Sequence, residues 1–298
     1  MTVAHSLNSI GSMLIKLWRE KTSVRRDDWF KLVCESYEHP PVFHKGVELP
    51  GFPPDSIQIN TTGKAGVGTL MEAFVFYQDC QETFAALGKP LSEVDKLLDF
   101  GVGWGRIARF FLSEMPLENI FGVDVMAEFV DICKKTFRSD NFYVTSPFPP
   151  TALPNGVFDY VVGYSVFSHL SEKACHEWMS EFHRITEPGA LIALTTRGRP
   201  FFDYCESLKD KGFGGYRDAL SIMFSDFDEA RARYDRGEFV HSNANGVTGG
   251  GAMTSDFYGE TFIPEQYARE AYAEMFFLER FLFDSSRQSH PIMFFRRR

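Results

Sequence analysis

The chain has no CxxC pair. Its five cysteines, Cys34, Cys80, Cys133, Cys175 and Cys205, are odd in number and scattered, which argues against a disulfide framework and a structural zinc site. None of its eight histidines falls in an HExxH pattern. His176 and His183 share one helix face and read as packing or surface residues, so no metal is expected. There is no apolar run of about 18 residues, hence no expected membrane span. There is no apolar stretch after a basic start at the N-terminus, hence no expected secretion signal. There is no excess of positive charge either: 31 basic against 40 acidic side chains leave −9, whereas nucleic-acid binders neutralise phosphate with a basic surface. The closing Arg296-Arg297-Arg298 reads as a solvated end. These absences point to a reducing, cytoplasmic setting, with neither a membrane nor a nucleic acid as partner. No internal repeat is evident.

What the chain does have is apolar and aromatic mass. Hydrophobic residues make up 44% of its 298 residues and aromatics 15%, including 31 phenylalanines, enough for a thick packed core. Residues 4–20 place Leu7, Ile10, Leu14, Leu17 and Trp18 at helical spacing. This amphipathic helix reads as packing on the domain, with a dimer or lid contact as the alternative, so self-association stays open. The Pro- and Gly-rich stretch 39–56 reads as an extended linker, and 66–87 as a helix.

From residue 95 the pattern alternates. Strands are expected over 97–100, 119–125, 142–145, 158–165 and 190–196, with helices over 106–115, 127–137 and 175–186. That alternation implies a parallel sheet covered on both faces. Helix-like pieces follow at 203–211 and 217–235, then the glycine-rich stretch 243–253. Two last strands, 276–284 and 291–297, are joined by a short turn and must be antiparallel. The expected fold is α/β: a Rossmann-like doubly wound sheet, mostly parallel with an antiparallel last strand. An N-terminal helical and linker segment covers 1–90. The main domain covers 91–298, with an insert at about 198–265 that frames a substrate.

Three glycines sit where the first long strand ends. Asp99 is followed by Gly101, Gly103 and Gly105, and Asp124 closes the next strand. Glycines permit positive φ and close approach to the backbone. In such sheets ligands bind at the carboxyl ends of the strands. An acid about 20 residues beyond the glycines suits a ribose hydroxyl pair. The dinucleotide pattern G-x-G-x-x-G would need glycine where Arg106 stands. Asp99 suits a cationic amino-acid group better than a pyrophosphate, which points to a nucleoside carrying positive charge.

These residues carry a resemblance. Asp99-Phe-Gly101-Val-Gly103-Trp-Gly105 resembles the glycine motif of class I S-adenosylmethionine-dependent methyltransferases, and Asp124 matches their ribose-binding acid. Residues 158–162 with Ser165-Val166-Phe167-Ser168-His169-Leu170 resemble the family's fourth strand and its loop. Residues 181–189 resemble the helix and turn before its fifth strand, and the closing pair its last two strands. The resemblance implies S-adenosylmethionine as cofactor, held by Asp99, Gly101, Gly103, Gly105, Asp124, Val125 and Ser165. It also implies methyl transfer to oxygen or nitrogen of a small-molecule or sugar acceptor. His169, on the ligand edge, and His241, in the insert, are the candidate catalytic bases. Arg197, Tyr258 and Glu260 are further candidates for substrate contact. The glycine run 248–251 lacks the Lys-Ser/Thr of a phosphate loop and reads as a lid hinge. Two alternatives remain: a cofactor-binding module without catalysis, and a nicotinamide oxidoreductase.

Overall fold

The computed structural model describes residues 26–244, 246–247 and 251–298; the helix read at 4–20 and the run 248–250 lie outside them. Helix α1 covers residues 26–38. Strands β1 (Phe43–His44) and β2 (Val47–Glu48) form a small antiparallel hairpin, and helices α2 (Asp55–Thr62) and α3 (Val67–Ala86) follow. The stretch 39–56 is therefore no plain linker. Lys45 and Gly46 both take positive φ, the twist a two-residue hairpin turn needs, and helix α2 begins inside the stretch.

The central part runs β3 (Leu97–Phe100), β4 (Ile120–Asp124), α4 (Ala127–Phe137), β5 (Phe142–Val144), β6 (Phe158–Gly163), α5 (Glu172–Ile185) and β7 (Thr186–Thr195). The insert holds helices α6 (Pro200–Ser207), α7 (Gly215–Ser221) and α8 (Phe227–Asp235), and the paired strands β8 (Val240–Ser242) and β9 (Glu260–Phe262). Helix α9 (Glu265–Ala271) and strands β10 (Phe276–Leu282) and β11 (Ile292–Arg297) complete the chain.

Seven strands form one sheet in the order β10-β11-β7-β6-β3-β4-β5. Strands β3 to β7 run parallel, and β11 lies antiparallel between β7 and β10. The chain leaves β3 towards β4 and β5, then returns to β6 on the other side. That reversal opens a crevice at the carboxyl ends beside β3. Because β3 and β6 are covered on both faces, burial runs through successive positions rather than alternate ones. One face packs against α1, α3, α4 and the turn after the glycines; the other packs against α5 and α9. A third, smaller core belongs to the insert.

The helix expected at 106–115 is instead a 3-10 helix, Ala108–Ser113. Trp29 Nε1 donates to the Phe110 carbonyl at 3.0 Å, and Glu114 N–H turns to Phe111 instead, an i→i−3 bond. Arg109, wholly buried, donates to the carbonyls of Gly105, Pro50 and Gly51, and its guanidinium lies 3.8 Å from the Phe52 ring centroid. Trp104 packs here too, donating to Thr61 Oγ1. The N-terminal segment thus dictates the winding. Among the described residues no helix is long and apolar enough to cross a membrane.

Phe84 of α3 is fully buried between Tyr160 of β6 and Phe294 of β11. The Phe84→Ala variant is expected to lose about 3–5 kcal/mol of stability. A urea unfolding midpoint equal to wild type would contradict this packing of α3 on the sheet.

Candidate functional site: a glycine notch beside a buried carboxylate

The three glycines answer to three different constraints. All take positive φ: +71° at Gly101, +52° at Gly103 and +81° at Gly105. A Cβ on Gly101 would come within 2.4 Å of Val166, so the loop after β6 presses directly on the loop after β3. A Cβ on Gly105 would meet Phe137 of α4 at 2.3 Å. Only at Gly103 would a Cβ point into open space, with nothing within 4 Å. Close ligand approach therefore fits Gly103, whereas Gly101 and Gly105 serve internal packing.

Asp124 braces this loop. Its Oδ2 accepts from Gly103 N–H at 2.8 Å and its Oδ1 from Met126 N–H at 2.9 Å. Burial pushes its acidity towards the neutral form, and the backbone donors, Val125 among them, oppose that. A carboxylate has about four acceptor positions, so the backbone donors do not use all of them. Asp99 is in a different state. It is buried beneath the glycine loop, and its Oδ2 has no hydrogen-bond partner. Burial raises its pKa to about 7; a backbone donor at Ala108 opposes the rise and Asp124 adds to it. An orphaned, buried carboxyl oxygen is costly to leave unpaired, and a cationic group would satisfy it.

Across the crevice, Ser165 turns the chain after β6. It has φ +58°, left-handed for a residue with a side chain, and its N–H donates to Thr195 Oγ1 at 2.6 Å. Such backbone strain costs of order 1–3 kcal/mol and tends to collect at functional sites. The returning insert is stitched to this loop. Gly259 N–H donates to the His169 carbonyl, Thr261 N–H to the Ser168 carbonyl, and Ser171 N–H to the Phe257 carbonyl. Arg197 N–H donates to the Thr261 carbonyl from the end of β7.

This stitching gathers residues that are far apart in sequence. Glu260 is fully buried. Its Oε1 lies 3.1 Å from His169 Nδ1 and accepts from the Tyr216 hydroxyl; its Oε2 accepts from Arg197 Nε at 2.7 Å. Burial would push the Glu260 carboxyl up, but His169 and Arg197 outweigh it and hold the pKa at about 2. His169 Nδ1 also lies 2.8 Å from the Gly259 carbonyl, so that nitrogen carries the proton and donates. Nε2 is left as the acceptor, 3.4 Å from Ser165 Oγ. The imidazole stacks on Tyr258, with centroids 4.7 Å apart and planes within 4°.

His241 reaches the same cluster. Thr261 Oγ1 donates to the Leu170 carbonyl, so His241 Nδ1 must donate to that oxygen, at 2.7 Å. Its Nε2 is buried and unpartnered, and burial lowers its pKa to about 4. Arg197 Nη1 donates to His290 Nε2 at 2.7 Å, and burial followed by Arg197 keeps that imidazole neutral. The two halves of the site adjoin. The Tyr258 hydroxyl is pushed up by burial, then by Glu260, and also by Asp124. A Cβ on Gly251 would sit 3.4 Å from Met126, on the loop after Asp124.

The structure places Asp99, Gly101, Gly103, Gly105, Asp124 and Val125 around the loop after β3, and Ser165, His169 and His241 around the loop after β6 and the returning insert. Tyr216 and His290 were not expected there, and no motif marks them. His176 Nε2 lies 2.9 Å from the Tyr267 hydroxyl. Among the described residues no group of three His, Cys, Asp or Glu could hold a metal ion.

Asp99 makes a pH prediction. The unfolded chain releases this proton near 3.8, while the folded chain holds it to about 7. Its contribution is therefore full below about pH 4 and is lost as pH rises from there through 7, at about 1.4 kcal/mol for each pH unit crossed. The ligand-free Asp99→Asn variant should exceed wild type in stability at pH 8 by up to about 4 kcal/mol, with the gap closing towards pH 4. Urea titrations at both pH values check this; a gap independent of pH would contradict the burial of Asp99.

Residues 97–189 match the methyltransferase domain family. A search of curated proteins finds no match. Among solved structures, the chain is similar to an S-adenosylmethionine-dependent methyltransferase from Methanosarcina mazei, at 18% identity over 70% of this chain and 94% of that one, TM-score 0.43. It is also similar to magnesium protoporphyrin IX methyltransferase from Synechocystis with bound S-adenosylhomocysteine, at 13% identity over 76% and 86%, TM-score 0.45. A third likeness is to a methyltransferase from Mesorhizobium loti, at 12% identity over 72% and 96%, TM-score 0.45. The span matched by the methyltransferase domain family runs from β3 through the loop of His169 into the start of β7, the part of the chain that holds the glycine notch.

Proposed function

We propose that this protein methylates an oxygen or nitrogen of a small-molecule or sugar acceptor, using S-adenosylmethionine. The observation that carries the reading is a notch over an unsatisfied buried carboxyl oxygen, at Asp99, pressed through Gly101 against the loop of Val166 and His169, where His169 pairs with buried Glu260. Asp99 would take the cofactor's ammonium group, Gly103 would give it room along the backbone, and Asp124 would hold the ribose hydroxyls with its free lone pairs. Val125 and Ser165 flank the same crevice. When bound, the cofactor supplies an already activated methyl group, and its carbon–sulfur bond breaks as the acceptor atom takes that methyl.

The chain's own residues then have three tasks. The first is alignment, which supplies much of the rate in a reaction whose electrophile is already reactive. The second is exclusion of water, for which the insert, stitched across the crevice by residues 257–261, is placed. The third is removal of the acceptor's proton. His169 donates through Nδ1 to the Gly259 carbonyl and Glu260, so Nε2 presents its lone pair. Glu260 fixes that tautomer and offsets the positive charge that develops on the ring as it takes the proton. His241, whose pKa burial lowers to about 4 and whose Nε2 is unpartnered, is the second acceptor in the cluster.

Calorimetry with S-adenosylmethionine tests the cofactor half. Wild type should bind, and Asp124→Ala should bind at least about tenfold more weakly, a loss of about 1.4 kcal/mol, with an unchanged circular dichroism spectrum. Equal affinity would contradict the ribose assignment. A screen of metabolite and glycan acceptors with isotopically labelled methyl tests the catalytic half. On an acceptor so found, His169→Ala should lose about 10²- to 10⁴-fold in kcat while cofactor affinity stays within about twofold. A kcat near wild type would remove His169 as the base.

A further inference from the structure

We infer that the Tyr216 hydroxyl stands in the acceptor's place on Glu260, and that the acceptor presents a neutral hydroxyl, an alcohol or a phenol, to that carboxylate. The inference rests on the methyl-transfer reading above and narrows it to oxygen. Its basis is an unusual join between surface and interior. Glu260 has no solvent exposure, yet one of its donors comes from the most exposed part of the insert. Residues 209–217 are exposed without a break, and the Tyr216 ring itself is 46% exposed. Gly214 and Gly215, just before it, both take positive φ, and a Cβ on either would meet nothing within 4 Å. The phenol tip anchors this corner to the site: among the described residues, the Tyr216 hydroxyl hydrogen-bonds to Glu260 alone.

The other donors to Glu260 are fixed. Arg197 is held by His290 as well as by Glu260, and His169 by Gly259 and its stack on Tyr258. The Tyr216 contact is the one that movement of an exposed loop can open. Charge decides what can replace it. Glu260 and Arg197 already cancel, and burial holds His241 and His290 in their neutral forms. A carboxylate or an ammonium entering here would add a net charge to a buried site, at the full cost of its desolvation. A hydroxyl brings one donor and no net charge, as Tyr216 does now. It would also lie beside His169, since Tyr216 and His169 share the same Glu260 oxygen. As the reaction proceeds the hydroxyl would turn its one proton from Glu260 to Nε2 of His169, its oxygen would take the methyl group, and the carbon–sulfur electron pair would stay on sulfur.

The test uses p-cresol, which is the tyrosine side chain cut free, with 4-methylbenzoate and 4-methylbenzylamine as charged counterparts. Binding to the full chain without cofactor is read by ligand-observed NMR in wild type, Tyr216→Ala and Tyr216→Phe. p-Cresol should bind Tyr216→Ala about tenfold more tightly than wild type, the worth of one charge-assisted hydrogen bond. It should also bind Tyr216→Phe about threefold more tightly, because the competing hydroxyl is gone. The charged probes should show no gain in either variant. Equal p-cresol affinity in all three proteins, or a larger gain for the benzoate or the amine, overturns the inference. The Phe variant keeps the ring and decides the matter if the Ala variant fails to fold. Because no cofactor is present, a failure of cofactor binding in calorimetry would refute the methyl-transfer reading separately.

Discussion

A carboxylate with no access to water must find its donors inside the protein, and Glu260 finds them on separate stretches of chain. His169 comes from the loop after β6, Arg197 from the end of β7, and Tyr216 from the insert. Breaking a buried pair by removing one partner leaves a charge uncompensated. The segments that supply those partners are therefore held to one another as firmly as to the sheet. The insert is consequently no loose appendage: its return path forms backbone bonds to both loops and sets Tyr258 flat against His169.

The cofactor half handles its charges differently. Asp124 commits part of its hydrogen-bonding capacity to the amides of Gly103 and Met126, which shapes the notch before any ligand arrives. Asp99 is left with an unsatisfied oxygen. One carboxylate braces the notch and the other keeps an unpaired oxygen beneath it. Gly101, whose Cβ would come within 2.4 Å of Val166, brings the notch against the loop that carries His169. Preorganisation of this kind is what a transfer between two bound partners requires.

Much of this was legible in the sequence, and the reasons differ by element. Strand β3 and helix α4 match their expected limits because their signals are local: an apolar run ending in glycines, and an amphipathic period of 3.6. The 3-10 winding of 108–113 was not legible, because Trp29 claims the Phe110 carbonyl from 81 residues away. The hairpin at 43–48 was hidden in a Pro-rich stretch that composition alone reads as linker. At the site, Asp99 and Asp124 were visible because they flank a motif. The motif did not reveal that Val166 and Phe137 leave no room for a side chain at Gly101 and Gly105. Tyr216 and His290 carry no local signal at all; only the folded insert and the β11 approach bring them to Arg197 and Glu260.

The most direct measurement is a crystal structure of the complex with S-adenosylhomocysteine. The account predicts the ribose hydroxyls on the Asp124 carboxylate, the amino group at Asp99, and the sulfur facing the space bounded by His169 and Tyr216. A nucleoside bound away from the glycine notch, or a sulfur turned from His169, would contradict it.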